Sequence, residues 1–311
     1  MANKSVWSDR LIGRVRYLGH PLCAGLDPHL ARIPPLFHRG TMKVDDPATA
    51  TAVEDFLGAF VERLAGRVAV VKPQSAFFER LGWRGLRALE RVAAKARDNE
   101  LLVLLDAKRG DIGSTAAAYA AAYLGNDASS DSGHGYDALT INPYLGLDTL
   151  EPFLETAADN GNGVFVLVKT SNAGAGDLQD QRLEGGALLH EHLAQALAER
   201  AKAMVGPESG FSSLGVVVGA TWPGEAEKLR EMMPRCLFLV PGYGAQGGSA
   251  GDAVRGFVRG ADGRLEGGIV NSSRGLLFPA GSVTEDARRW ERAIDDGISR
   301  AIDELTAAVS S

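Results

Sequence analysis

Eight short β-rich apolar runs, separated by helical or loop-forming segments, constrain this 311-residue chain more than any other feature. They are Leu22–Leu26, Val68–Val71, Leu101–Leu105, Ala138–Ile141, Val164–Val168, Leu214–Val218, Leu237–Val240 and Gly268–Val270. The runs are continuously apolar rather than alternating, as parallel strands covered on both faces must be. Helical patterns lie between them. Trp83–Asp98 places Leu86, Leu89, Val92 and Ala93 on one stripe. Ser114–Leu124 is rich in alanine. Gly186–Val205 carries Leu188, Leu189, Leu193, Leu197 and Met204, and Thr284–Val309 closes the chain. Pro223–Met233 begins after Thr221, a good N-cap.

Strand alternating with helix through the chain predicts one (β/α)8 barrel, a TIM barrel, as a single domain over residues 1–311. An open doubly wound sheet is the competing topology. No G-x-G-x-x-G follows the first strand, which weakens a dinucleotide-binding reading. Three segments exceed a minimal barrel: an extra N-terminal helix over Val6–Leu18, a long first connection over 28–66 with a helix from about Pro47, and a surface loop over 125–135.

Composition excludes several partners. With a formal net charge of -6 and no basic stripe, nucleic acid is an unsuitable ligand. No apolar run approaches the roughly 20 residues that span a bilayer, and residues 1–17 hold no secretion signal. Cys23 and Cys236 lie in apolar segments and read as buried free thiols of a reducing, cytoplasmic compartment. The six histidines include no H-E-x-x-H and no Cys/His cluster, so no metal site is expected. The four tryptophans are scattered and read as packing residues.

In a barrel, chemistry sits where the strands end. Asp27, Lys72, Asp106 with Lys108 and Asp111, Asn142, Lys169 with Thr170 and Ser171, Thr221, and Asn271 to Arg274 follow successive runs. Three lysines, three aspartates and an arginine are therefore expected to face one bowl. In Asp106-Ala-Lys-Arg-Gly-Asp-Ile112, alternation puts Asp106 and Lys108 on one face. Such a segment could be a surface ion pair with a capping aspartate. The apolar run before it and Lys72 on the neighbouring strand favour a Lys–Asp–Lys–Asp array that keeps each group charged and fixed. Pro241-Gly-Tyr-Gly-Ala-Gln-Gly-Gly248 and Asn271-Ser-Ser-Arg-Gly275 follow strands seven and eight, the usual phosphate position. Glycine N–H groups, Gln246 and the Arg274 fork suit an anion.

These motifs, with Gly25-Leu-Asp-Pro28, Val71-Lys-Pro-Gln74 and Val168-Lys-Thr-Ser-Asn172, resemble the orotidine 5′-phosphate decarboxylase family in its longer bacterial subgroup. The likeness spans Gly25 to Gly275, and Asp106 to Thr115 is its most specific part. The resemblance implies a cofactor-free carboxy-lyase acting on orotidine 5′-monophosphate in pyrimidine biosynthesis. It implies a catalytic tetrad of Lys72, Asp106, Lys108 and Asp111, with Lys108 as proton donor. It implies ribose contacts from Asp27 and Lys72, a pyrimidine contact from Ser171, and a phosphate grip from Gln246 and Arg274; Ser273 stands where many shorter members have glycine. It further implies a homodimer in which Asp111, Ile112 and Thr115 reach the neighbour's site. Two other readings compete. A sugar-phosphate decarboxylase or epimerase on the same barrel would need carboxylates free to bind Mg2+. A non-catalytic phosphometabolite-binding barrel would not need the tetrad.

Overall fold

A computed structural model of the chain describes residues 5–125, 135–244 and 247–311. Eight parallel strands close into a barrel: β1 (Leu22–Leu26), β2 (Val70–Pro73), β3 (Leu102–Arg109), β4 (Ala138–Ile141), β5 (Gly163–Lys169), β6 (Ser212–Val218), β7 (Cys236–Val240) and β8 (Gly268–Ser272). Each strand pairs with its sequence neighbours, and β8 closes on β1. Closure removes the edges that an open sheet would leave, so the doubly wound alternative is set aside.

Two apolar layers follow from the period-2 alternation of strand side chains. Cys23, Val70, Leu104, Ala138, Phe165, Val217, Leu239 and Ile269, one from each strand, point inward and fill the barrel. Their neighbours, including Ala24, Val71, Leu105, Leu139, Val166, Val218, Val240 and Val270, point outward against the surrounding helices.

The extra N-terminal helix is present as Trp7–Leu18. Its Trp7, Leu11, Ile12 and Val15 join the inward layer, so it plugs the barrel floor. Trp7 is fully buried and meets the Phe165 ring edge-on at 6.2 Å. Gly163 permits this approach, since a Cβ there would lie 2.3 Å from Trp7 Cδ1. The Asp9 carboxylate accepts from Ser209 N at 2.7 Å and ties the helix to the turn before β6.

The first connection carries the helix Pro47–Leu64, N-capped by Asp46. The helices Gly82–Asp98, Gly113–Leu124, Leu189–Ala201, Pro223–Met232 and Ala287–Ser310 stand close to their expected places. Several elements were not expected, among them the short helices Ser75–Glu79, Gly176–Gln179, Ala250–Ala253 and Arg274–Leu277. The helix Glu151–Asn160 buries Phe153, Leu154 and Ala157 and stops at Gly161 in the left-handed region. A two-stranded ribbon pairs Val258–Arg259 with Leu265–Glu266. Thr221 does not cap the helix that begins at Pro223; its hydroxyl donates to Ser171 O at 3.3 Å, and the N-cap position is Trp222. Most of the predicted surface loop, at 126–134, lies outside the described residues. Cys23 and Cys236 are buried free thiols, as expected.

Removing the plug side chain should be costly. Trp7→Ala is expected to lower the unfolding free energy by about 3–5 kcal/mol, the usual cost of truncating a buried aromatic, as read from urea denaturation. A change below about 1 kcal/mol would mean that the floor does not depend on this ring.

Candidate active site at the barrel mouth

A cavity of about 450 Å3 opens at the C-terminal ends of the strands. Its centre is a carboxylate. Asp106 is buried, and its oxygens accept four hydrogen bonds. Oδ2 takes Lys72 Nζ at 2.8 Å and Gln74 Nε2 at 3.1 Å. Oδ1 takes Lys108 Nζ at 2.6 Å and Thr140 Oγ1 at 2.9 Å. Burial alone would push the Asp106 pKa up. The two ammonium groups outweigh it and hold the carboxyl well below its ordinary range. For Lys72, burial disfavours the charged form, but the Asp106 and Asp27 carboxylates raise its pKa above the usual lysine value.

A local irregularity in β3 builds this arrangement. Leu105 pairs with Leu139 and Arg109 with Ile141, so three residues of β3 face the single residue Thr140 of β4. Two of the three, Asp106 and Lys108, turn toward the cavity. Lys108 adopts φ 49°, the left-handed region, which costs a non-glycine residue on the order of 1–3 kcal/mol. Its N–H donates to Thr140 Oγ1 at 2.9 Å and its ammonium to Asp106, so both ends of the residue are tied. The Lys108 side chain keeps 45% exposure, against 5% for Lys72. One lysine is a buried anchor, and the other stands at the cavity surface.

Asp27 lines the same cavity, and its Oδ1 is buried without a hydrogen bond from any described residue. A buried acceptor without a donor is costly, so this oxygen suits a ligand hydroxyl. At the far side stand Pro241, Gly242, Tyr243, Asn271, Ser273 and Arg274. Gly25 has no room for a side chain, since a Cβ would lie 1.9 Å from Ser273 Oγ. Asn271 Nδ2 donates to that hydroxyl at 3.2 Å. Tyr243 donates to Glu304 at 2.5 Å, fastening the glycine-rich loop to the last helix. Ser171, Thr170 and Asn172 form a third wall.

Of the residues expected at the site, Lys72, Asp106, Lys108, Asp27, Ser171 and Arg274 therefore line one cavity. Gln246 lies outside the described residues. Asp111 and Thr115 are not part of this cavity. Asp111 Oδ1 accepts from Ile112 N at 2.8 Å, while Ile112 and Thr115 are exposed at the start of the helix Gly113–Leu124. Lys169 corrects the expectation of three lysines in the bowl. Leu167 pairs with Val217 but Lys169 with Val218, so β5 carries one extra residue. Partners across parallel strands share a face, and Val218 faces outward. Lys169 thus turns away from the cavity toward Asp180. Thr140 escaped the sequence reading because one threonine in an apolar run is an ordinary strand residue. Gln74 stood in a quoted motif but had no assigned role.

The apparent affinities of Asp106 and Lys72 for protons give a test with a definite sign. Asp106 titrates lower in the fold than its ordinary 3.8, so its stabilisation is present above that value and is lost as the pH falls through its folded value. Lys72 titrates above its ordinary 10.5, so its share is present below that value and is lost on rising through its folded value. Asp106→Asn is expected to cost roughly 3–5 kcal/mol near pH 7, since it strands a buried lysine. The gap from wild type should hold across neutral pH and narrow below about pH 4. Denaturation at a series of pH values reads this, and a gap that does not vary would refute the charge assignment.

The sequence model of the orotidine 5′-phosphate decarboxylase / HUMPS family matches residues 20–289. The chain is similar to the orotidine 5′-phosphate decarboxylase of Rhodopirellula baltica, 43% identical over 281 residues that cover 89% of this chain and 91% of that one. A solved chain from Streptomyces avermitilis superposes with a TM-score of 0.78 at 36% identity, covering 99% and 97%. The structure of Leishmania donovani OMP decarboxylase does so with a TM-score of 0.72 at 31% identity, covering 98% and 99%.

Proposed function

The chain belongs to the orotidine 5′-phosphate decarboxylase / HUMPS family, and from that membership we propose how its own residues carry out the reaction. The reaction is decarboxylation of orotidine 5′-monophosphate to uridine 5′-monophosphate (UMP) and CO2, a step of pyrimidine biosynthesis. The observation that carries the residue assignment is the buried carboxylate of Asp106 held between two lysines at one end of a cavity whose other end presents Arg274.

Breaking the C6–CO2 bond leaves an electron pair on C6 with no adjacent group to delocalise it. Fixed positive charge must meet that pair. Lys108 is the suitable group, being tied to Asp106 yet exposed to the cavity. Its ammonium stabilises the developing carbanion and transfers a proton to C6, giving UMP, and solvent then restores the proton. Asp106 keeps the ammonium aimed, and Lys72 keeps Asp106 ionised. Asp27, with its undonated oxygen, and Lys72 take the ribose hydroxyls. Ser171 takes the pyrimidine, and Arg274 with Gln246 the phosphate. Phosphate binding far from C6 supplies binding energy for orienting the reacting end.

Mg2+-dependent sugar-phosphate chemistry fits this site poorly. Both Asp106 oxygens are engaged by lysines and neutral donors. Among the described residues no group of three or more His, Cys, Asp or Glu side chains could hold a metal ion. A binding-only barrel has no use for the strained, doubly tied Lys108.

The reading extends to assembly. A cytoplasmic homodimer, each chain one barrel domain, is the working form, with Asp111 and Thr115 serving the partner's cavity. The exposed Ile112 beside them supports this, at 62% exposure for an apolar side chain. Among the described residues no helix is long and apolar enough to cross a membrane.

Purified protein given orotidine 5′-monophosphate in excess EDTA should show the ultraviolet absorbance change of decarboxylation. Lys108→Ala should lose at least about 1000-fold in kcat while still binding UMP; near-normal turnover would sink the proton-donor assignment. A mixture of inactive Asp111→Ala and Lys108→Ala chains should regain activity, because one site of each mixed dimer is intact. No recovery after verified subunit exchange would exclude a shared site.

A further inference from the structure

Lys169 is the one lysine at a strand end that the reaction leaves unused. It is fully buried, and its ammonium donates to Asp180 Oδ1 at 2.5 Å and lies 4.5 Å from the centre of the Trp222 ring. Burying an ammonium requires a partner, and this one has two kinds: a carboxylate and an aromatic face. Both belong to segments that grip the next residue along the chain. Trp222 Nε1 donates to Thr170 O at 2.9 Å. Gln179, beside Asp180, accepts from Thr170 N at 2.9 Å and donates to Thr170 Oγ1 at 2.8 Å. Thr170 is thus bound at its N–H, its carbonyl and its hydroxyl.

The residue after Thr170 is Ser171. Its carbonyl accepts from Thr221, and its backbone lies against Gly219, where a Cβ would come within 2.7 Å of Ser171 Cα. His190 Nδ1 lies 2.9 Å from Gln179 O and 3.2 Å from Asp180 Oδ1, anchoring the far side to the helix Leu189–Ala201. The frame therefore runs from a buried charge, through Asp180 and Trp222, to one wall of the cavity. It meets the loop after β7 through the backbone, where the Ala220 N–H donates to Pro241 O at 2.8 Å.

We propose that Lys169 is a positioning residue for base recognition, setting the Thr170–Ser171 wall against the pyrimidine by holding Asp180 and Trp222 behind it. The proposal rests on Ser171 meeting the base. Its consequence is selective. Loosening the frame weakens binding of the base more than that of the ribose-phosphate end, because Thr170 and Ser171 are the residues it grips directly.

UMP and ribose 5-phosphate, which lacks the base, are the probes, and calorimetric titration is the measurement. Lys169→Met should raise the Kd for UMP about tenfold, the equivalent of one good polar contact, and that for ribose 5-phosphate by less than about twofold. KM for the nucleotide substrate should rise more than kcat falls. Asp180→Asn, which keeps the side-chain shape at a partly exposed position, should act in the same direction and guards against a Lys169 variant that does not fold. Equal weakening of both probes, or of neither, in the two variants would overturn the proposal. Ser171→Ala separates the premise: if it leaves UMP affinity unchanged, the base contact fails and the frame has nothing to position. If Ser171→Ala weakens UMP while Lys169→Met and Asp180→Asn do not, the base contact stands and only the role of Lys169 falls.

Discussion

A buried carboxylate between two ammonium groups organises this molecule's working end. Asp106 could not remain ionised inside the barrel by itself, because burial penalises the charged form. Lys72 and Lys108 reverse that penalty, and Gln74 and Thr140 occupy the remaining lone pairs. The result is an electrostatic unit in which the two ammonium groups hold Asp106 ionised, and Asp106 with Asp27 holds Lys72 charged. A positive group next to a developing carbanion works without reorganisation when its position is already determined. Under the proposed assignment, that fixed charge meets the electron pair left on C6.

The supporting architecture separates stability from chemistry along the barrel axis, as this fold generally does. At the floor, Trp7, Leu11 and Ile12 close the inward core, and the only demands are volume and shape. At the mouth, inward positions become polar: Lys72 follows Val70, and Asp106 follows Leu104, on the same face of their strands. The apolar layers below keep those polar groups in a partly dry environment, which strengthens every charge interaction between them.

Two departures from regular strand geometry turn that simple alternation into a site. In β3 the extra residues allow Asp106 and Lys108 both to face the cavity opposite Thr140, at the cost of a left-handed φ for Lys108. In β5 one extra residue has the opposite effect and sends Lys169 outward to Asp180 and Trp222. Bulges re-aim side chains next to functional sites. Here one delivers a lysine to the cavity and the other places a lysine behind its wall.

The strand and helix order was legible in the sequence because continuous apolar runs and helical spacing are local signals. So were the residues at the strand ends, including Lys72, Asp106 and Lys108, since closure of a barrel converts position along a run into position at the mouth. The helix Glu151–Asn160 was missed although Pro152 and Gly161 mark its ends, because its apolar stripe is short. Direction was harder than position. Its place at the end of the fifth run implied that Lys169 faced the bowl, but strand pairing, which no single segment encodes, inserted a residue and turned it away. Asp111 likewise stands near Lys108 in sequence yet outside its cavity, because the chain turns at Gly110 and enters a helix. The amino-acid order alone thus determined which chemistry-bearing residues reach the barrel mouth. Only the tertiary structure decided which of them share a cavity, since register, bulges and closure depend on contacts between segments distant in the chain.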